Sequence, residues 1–398
     1  MRRVIAGTFA IIFFVTVAEN SHAYDFGALF KAELSAEGRD GTEAGGKTTL
    51  APWLSLPLGN GGLYLSAGLG VHYAKKTVFV PELLRAEYSR QFAPFAVRAG
   101  RIPWVDPSAL AARGLFDGAD LSMDLGPARL GVAALYTGLL YKDTANVNIS
   151  PGDPVDYGLP LDWGDFTKTY FAPRRILMAL YGDLPGFPQN RGNLYAGLLF
   201  QFDVSEAEQR LHTQYLLLRH TLDYQAFDLS VAGAVELENT RAGGVKAALA
   251  LSLDGGVQIP VDLSNRLSLG MRWASGSGSQ TAAFFPVINE AQGLVLKPGF
   301  SGIMVLRTNF EARLLPILSA GLGGRYFLRT DSSSFSDPDI TKDSHPVGAE
   351  IFASVLCVPF SDLSFTLEGG LFLPKTGTAM RDDAPVRWSL TLGTLFSF

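Results

Sequence analysis

The chain of 398 residues is short of several things. It has a single cysteine, Cys357, so no disulfide framework holds it together. Charged residues make up 18%, below the ~25% usual in soluble domains. No run of Lys and Arg appears, and the formal net charge is −5, so no nucleic-acid partner is expected. Only five histidines are present, none in a metal-ligand or nucleophile motif. His212 and His220 would stand roughly 26 Å apart on one strand at ~3.3 Å per residue, too far to share a metal. These absences leave no catalytic residue, no metal site and no cofactor to name, and the chain is not expected to be an enzyme. The apolar content of 47% excludes an intrinsically disordered chain.

A long helical membrane span is lacking too. The segment from Thr48 to Ala74 carries no charge, but Pro52, Pro57 and Gly59-Asn60-Gly61-Gly62 interrupt it. Two strands joined by a tight turn fit it better.

What is present begins with an export address. Arg2 and Arg3 precede an apolar stretch from residue 4 to 18, and Ser21-His22-Ala23 offers a small-x-small cleavage site. Residues 1–23 read as a cleaved signal peptide and 24–398 as the mature chain, with a net charge of −6. A first strand beginning almost at Tyr24 leaves no room for a plug ahead of it.

From there the sequence alternates. Leu63, Leu65, Ala67, Leu69, Val71 and Tyr73 face one way; Tyr64, Ser66, Gly68, Gly70 and His72 face the other. The same period recurs at 194–203, 227–238, 304–314 and 363–373. A soluble sandwich and a membrane barrel both alternate in this way. The polar face carries Gly, Arg and Glu inside stretches of ~10–14 residues, longer than globular strands and long enough to cross a bilayer at a tilt. Connections after even strands are short: Asn60-Gly61, Ala93-Pro94, Pro127-Ala128, Gln225, Leu315 and 360–362. Those after odd strands are mostly long: 37–47, 104–116, 143–173, 276–301, 330–346 and 375–385. Short turns at one end and long loops at the other are the habit of outer-membrane barrels. The expectation is an all-β, transmembrane, antiparallel up-and-down barrel of about 18 strands. A turn at Asp254-Gly255-Gly256 inside strand 12 would leave 16.

The last residues alternate back from Phe398 through Phe396, Thr394, Leu392 and Leu390 to Trp388. A terminal Phe on such a strand resembles the assembly signal of outer-membrane β-barrels, which the barrel assembly machinery reads. The chain resembles barrels of the porin type. The segments from Gly100 to Ser108 and Gly114 to Ala119 are similar to parts of alginate-export-like large barrels, and no functional residue is carried over from them. The resemblance implies the outer membrane of a diderm bacterium, contact with its lipid, and a channel for small polar solutes or ions. A homo-oligomer is compatible with it. The alternative is a non-conducting structural or adhesin-type barrel acting through its long external loops.

A barrel this wide leaves an aqueous lumen. Alternation points Arg85, Arg98, Arg272, Arg307, Arg313, Arg325, Arg329 and Arg387 inward, with Glu311, Glu350 and Glu368 among the acidic partners. These charges either line a selective constriction or keep the wall wet. Arg307, Arg313, Arg325 and Arg329 should form one basic strip, extended by Arg272 and Arg387 and partly neutralised by Glu311. Loop 143–173 is rich in Asp and aromatics, so it packs either inside the lumen or over its mouth. Its acidic spacing matches no calcium loop. Cys357 falls on an apolar, lipid-facing row and reads as an inert small hydrophobe.

Overall fold

The computed structural model describes residues 24–398 apart from 40, 74–75, 151, 207–209, 241–243, 262–263, 279–280, 332–334 and 336. The expected signal peptide, residues 1–23, lies outside the described residues. The strands are β1 (Asp25–Gly38), β2 (Thr42–Leu58), β3 (Gly61–Tyr73), β4 (Thr77–Phe92), β5 (Phe95–Val105), β6 (Arg113–Asp124), β7 (Arg129–Tyr136), β8 (Arg175–Pro185) and β9 (Gly192–Asp203). They continue with β10 (Leu211–Tyr224), β11 (Phe227–Thr240), β12 (Gly244–Val257), β13 (Asn265–Ala274), β14 (Ile303–Leu315), β15 (Leu318–Arg329), β16 (Pro346–Phe360), β17 (Leu363–Leu373) and β18 (Arg387–Ser397).

Each strand pairs antiparallel with its sequence neighbours, and β18 pairs back onto β1, so the 18-stranded sheet is closed. The seam runs from Leu29 opposite Ser397 to Gly38 opposite Trp388. Phe398 and Ala28 then exchange two backbone hydrogen bonds of 3.0 and 2.7 Å. Closure satisfies backbone groups that an open edge would leave unpaired.

The count of 18 holds and 16 is excluded, because β12 runs through Asp254-Gly255-Gly256 with its pairing to β11 unbroken. Several boundaries differ from expectation, among them the β5–β6 connection, which is 106–112 rather than 104–116. The β1–β2 connection is 39–41 rather than 37–47, since β2 starts at Thr42. The β14–β15 turn is Pro316-Ile317 rather than Leu315. β7 stops at Tyr136 instead of running to 142: the Thr137 hydroxyl donates to the Pro173 carbonyl (2.5 Å), and the chain leaves the wall there.

The outward rows are apolar and exposed, as on Leu249, Leu251 and Leu253 of β12, the pattern of a barrel whose outer face suits hydrocarbon rather than water. The inward rows differ around the circumference. From β8 to β13 they carry Leu177, Leu199, Tyr215, Leu217, Ala234, Ala248 and Ala250, all buried. These belong to one apolar cluster with Val147, Phe284, Val287, Ile288, Leu296 and Phe300 from the loops. On this arc the expected wet lumen is occupied by a hydrophobic core built from inserted loops.

The wall is also split at one place. β4 and β5 pair only from Ala86 opposite Arg101 to Phe92 opposite Phe95. A bulge in β4 between the partners of Ser66 and Ala67, and Gly100 at φ 112°, part the two strands beyond that point. Side chains stand in for the missing ladder. Arg101 donates to the Leu83 carbonyl (2.6 Å), and the Tyr170 hydroxyl donates to the Pro81 carbonyl (2.6 Å).

Candidate functional site in the barrel lumen

Three connections from the long-loop end turn into the barrel. The first, 106–112, winds around one carboxylate. Asp106 accepts from the backbone amides of Ser108, Ala109, Ala111 and Ala112 and from the Ser108 hydroxyl, at 2.6 to 3.0 Å. This fixed turn presents the Ala111 carbonyl to the amide of Val287 at 2.7 Å.

The second, 137–174, contains the expected loop 143–173, and it goes inside. Tyr141 is 2% exposed, packed between inward-facing His72 (centroids 6.3 Å) and Tyr170 (5.0 Å). Asp153 pairs with Arg175 of β8, which also binds Asp203 of β9 at 3.0 Å. Burial pushes the Tyr141 phenol above its ordinary range, and the hydrogen bond it donates to Asp143 adds to that. Burial likewise lowers the Lys142 ammonium, whose partners here are the carbonyls of Asp156 and Leu159.

The third, 275–302, spans the interior. The Phe285 amide donates to Glu236 of β11 (2.7 Å), and the Tyr215 hydroxyl donates to the Phe285 carbonyl (2.6 Å). The amides of Leu294, Val295 and Leu296 all donate to Glu350 of β16, at 2.9 to 3.0 Å. Lys297 pairs with Glu37 of β1. Asn148 donates to the Val287 carbonyl and Asn289 to the Asn146 carbonyl, both at 2.8 Å, so this loop and 137–174 are stitched together.

Beside these loops lies a cavity of about 480 Å³ against the inner face of β12–β17. Arg266, Arg307 and Arg325 line it, with Asp254, Glu311 and Glu368. Arg307 and Arg325 are direct cross-strand partners, as the basic strip requires. Each is engaged, however. Arg325 binds Glu350 on the next strand at 2.5 Å and stacks over Phe352 at 4.4 Å. Arg307 reaches back two strands to Asp254, its Nε at 3.1 Å from the carboxylate. Arg272 faces the inserted loop, with Glu290 at 3.5 Å and Phe300 beneath it at 5.9 Å.

The other expected lumen residues do different things. Arg313 sits at the short-turn end and donates to the Pro316 carbonyl (2.6 Å). Arg329 is buried and donates to the carbonyls of Ser344 and Lys342, holding the backbone of loop 330–345. Arg387 binds Asp337 and Asp339 of that loop at 2.6 and 2.7 Å. Arg85 pairs with Glu87 (2.8 Å) and Arg98 with Asp120 (2.8 Å), on the opposite arc. Glu311 accepts from Asn309 (2.7 Å). Phe396 and Phe398 stack at 5.3 Å by the closing seam. Cys357 is a free thiol.

Sequence reasoning missed Arg266 and its partner Asp228 on β11, at 2.5 Å. Arg266 shares the parity of Arg272 six residues on, so the signal was there. Asp254 was set aside as a turn residue. Among the described residues no group of three or more His, Cys, Asp or Glu is placed to hold a metal.

No model of a known protein family matches the chain, and no curated protein matches it by sequence. Solved structures do match by fold. Pseudomonas aeruginosa OccK8 (OprE) is similar at a TM-score of 0.60 and 12% identity, over 95% of this chain and 98% of that one. P. aeruginosa OccK11 (OpdR) gives 0.59 and 13%, over 94% and 96%. The outer membrane protein OprD from P. aeruginosa gives 0.57 and 13%, over 94% and 93%. At these identities the likeness is one of fold: the chain shares the closed β-barrel of these outer-membrane proteins. The resemblance to alginate-export-like barrels finds no support among these structures.

Proposed function

We propose that the mature chain is a channel in the outer membrane of a diderm bacterium, passing small polar solutes or ions by diffusion. The cleaved signal peptide delivers it across the inner membrane. Phe396 and Phe398 act as the signal for the barrel assembly machinery. The observation that carries the reading is the lumen itself. Loops anchored on buried wall carboxylates narrow the interior, and beside them lies a cavity whose walls carry charges of both signs. A narrow, charged, water-filled passage is what orients and filters polar solutes. The fold shared with outer-membrane barrels points the same way.

The adhesin alternative requires long loops projecting outward. Loops 137–174 and 275–302 instead spend their polar groups on the inner wall and on each other. Planar-bilayer recording of the purified, folded barrel tests the proposal: discrete current steps are expected. Correctly folded protein that carries no current would favour a structural barrel.

A further inference from the structure

We propose that Asp228 and Asp254 are selectivity-determining residues, which pair with Arg266 and Arg307 and tip this lumen against anions. The proposal rests on the channel reading above and deepens it.

The pairs share one construction. In register, Asp254 of β12 lies opposite Gly270 of β13, and Gly270 lies opposite Arg307 of β14. The Arg307–Asp254 pair therefore passes over a strand that offers no side chain at the crossing. A Cβ on Gly270 would fall inside van der Waals reach of both partners. One strand back a similar crossing occurs on the diagonal, since Gly256 lies opposite Ser268 rather than Arg266. Asp228 of β11 lies opposite Gly256 of β12, and Arg266 of β13 reaches over that glycine to it. A Cβ on Gly256 would meet Arg266 and Asp228 alike.

These pairs do little for stability. Arg307 and Asp254 are 38% and 34% exposed, and pairs so wetted contribute about 0–1 kcal/mol. What they change is the field. Fixed charges on a narrow aqueous wall act on a permeating ion within about 8–10 Å, the screening length at moderate salt. Without the two aspartates, Arg266, Arg307 and Arg325 would face three carboxylates, Glu311 and Glu368 on the cavity wall and Glu350 on Arg325. Glu350 keeps its charge while its oxygens accept three loop amides as well as Arg325, so it offsets one arginine and no more. With the aspartates in place, five carboxylates stand against the three arginines.

The test is the reversal potential in a KCl gradient for wild type, Asp228→Asn with Asp254→Asn, and Arg307→Ala with Arg325→Ala. Wild type is expected to reverse on the potassium side of zero. The Asn pair should move the reversal toward the chloride potential and the Ala pair toward the potassium potential. Asp254→Asn alone should give a smaller shift toward chloride and serves if the double variant fails to assemble. Asn variants that conduct with the wild-type reversal potential would overturn the proposal and leave the channel standing. A folded wild-type barrel that carries no current would overturn the channel reading, and this proposal with it.

Discussion

A carboxylate buried in a barrel wall is costly unless its oxygens are fully used. Glu350 is fully buried and uses them on three consecutive loop amides and one guanidinium. Glu350→Ala would strand three amides and Arg325, a loss on the order of 3–5 kcal/mol. It should release the 294–296 segment, seen as faster hydrogen exchange there and noisier current. Glu350→Gln keeps an acceptor and should fall between. Unchanged exchange in the alanine variant would mean that other contacts hold the loop. The inward direction of Glu350 and Arg325 was legible, because period-two alternation survives any uncertainty in strand ends. The loop partners of Glu350 were not legible, since they lie more than fifty residues away and nothing local encodes which loop amides come to meet it. Arg101 shows the opposite failure. Parity puts it on the lipid side, yet it is 5% exposed and bound to Asp117, because the parted strands leave a gap for it to fill.

At the scale of elements, the loops carry what alternation could not supply. The aromatic richness of 143–173 signalled packing, and left inside and outside equally open. The choice falls inside because Tyr141 and Tyr170 cluster with Val80, an inward residue of β4. Loop 330–345 is tethered differently, by Arg387 on β18, with Arg39 and Arg381 also on Asp339. Burial alone would raise the Asp337 carboxyl, but hydrogen bonds from Arg387 and the Asp339 amide outweigh it and hold it below its ordinary value of 3.8. A depressed carboxylate stabilises the folded state above its unfolded pKa, and the contribution fades as pH falls through the lower, folded one. The tether should therefore persist down to about pH 4 and loosen below it. Limited proteolysis or hydrogen exchange of 330–345 across that range measures this. Arg387→Ala should expose the loop already at neutral pH, and protection that ignores both would assign the tether elsewhere.

For the whole molecule, the barrel was legible in its parity. Hairpin after hairpin, short turns follow even strands and the apolar row faces out, and both patterns need only local sequence. The filled interior was not legible. Leu177, Leu199, Leu217, Ala234, Ala248 and Ala250 read as small or apolar positions on inner rows that also carry charge, and the arrival of residues 140–147 and 282–300 makes them a core. The account thus holds that the lumen conducts and that loop 275–302 narrows it. Replacing residues 281–300 by a short Gly/Ser linker tests this most directly, through single-channel conductance beside wild type. The account predicts steps in both barrels, larger in the shortened one. Equal steps, or folded barrels that stay silent with the loop removed, would contradict it.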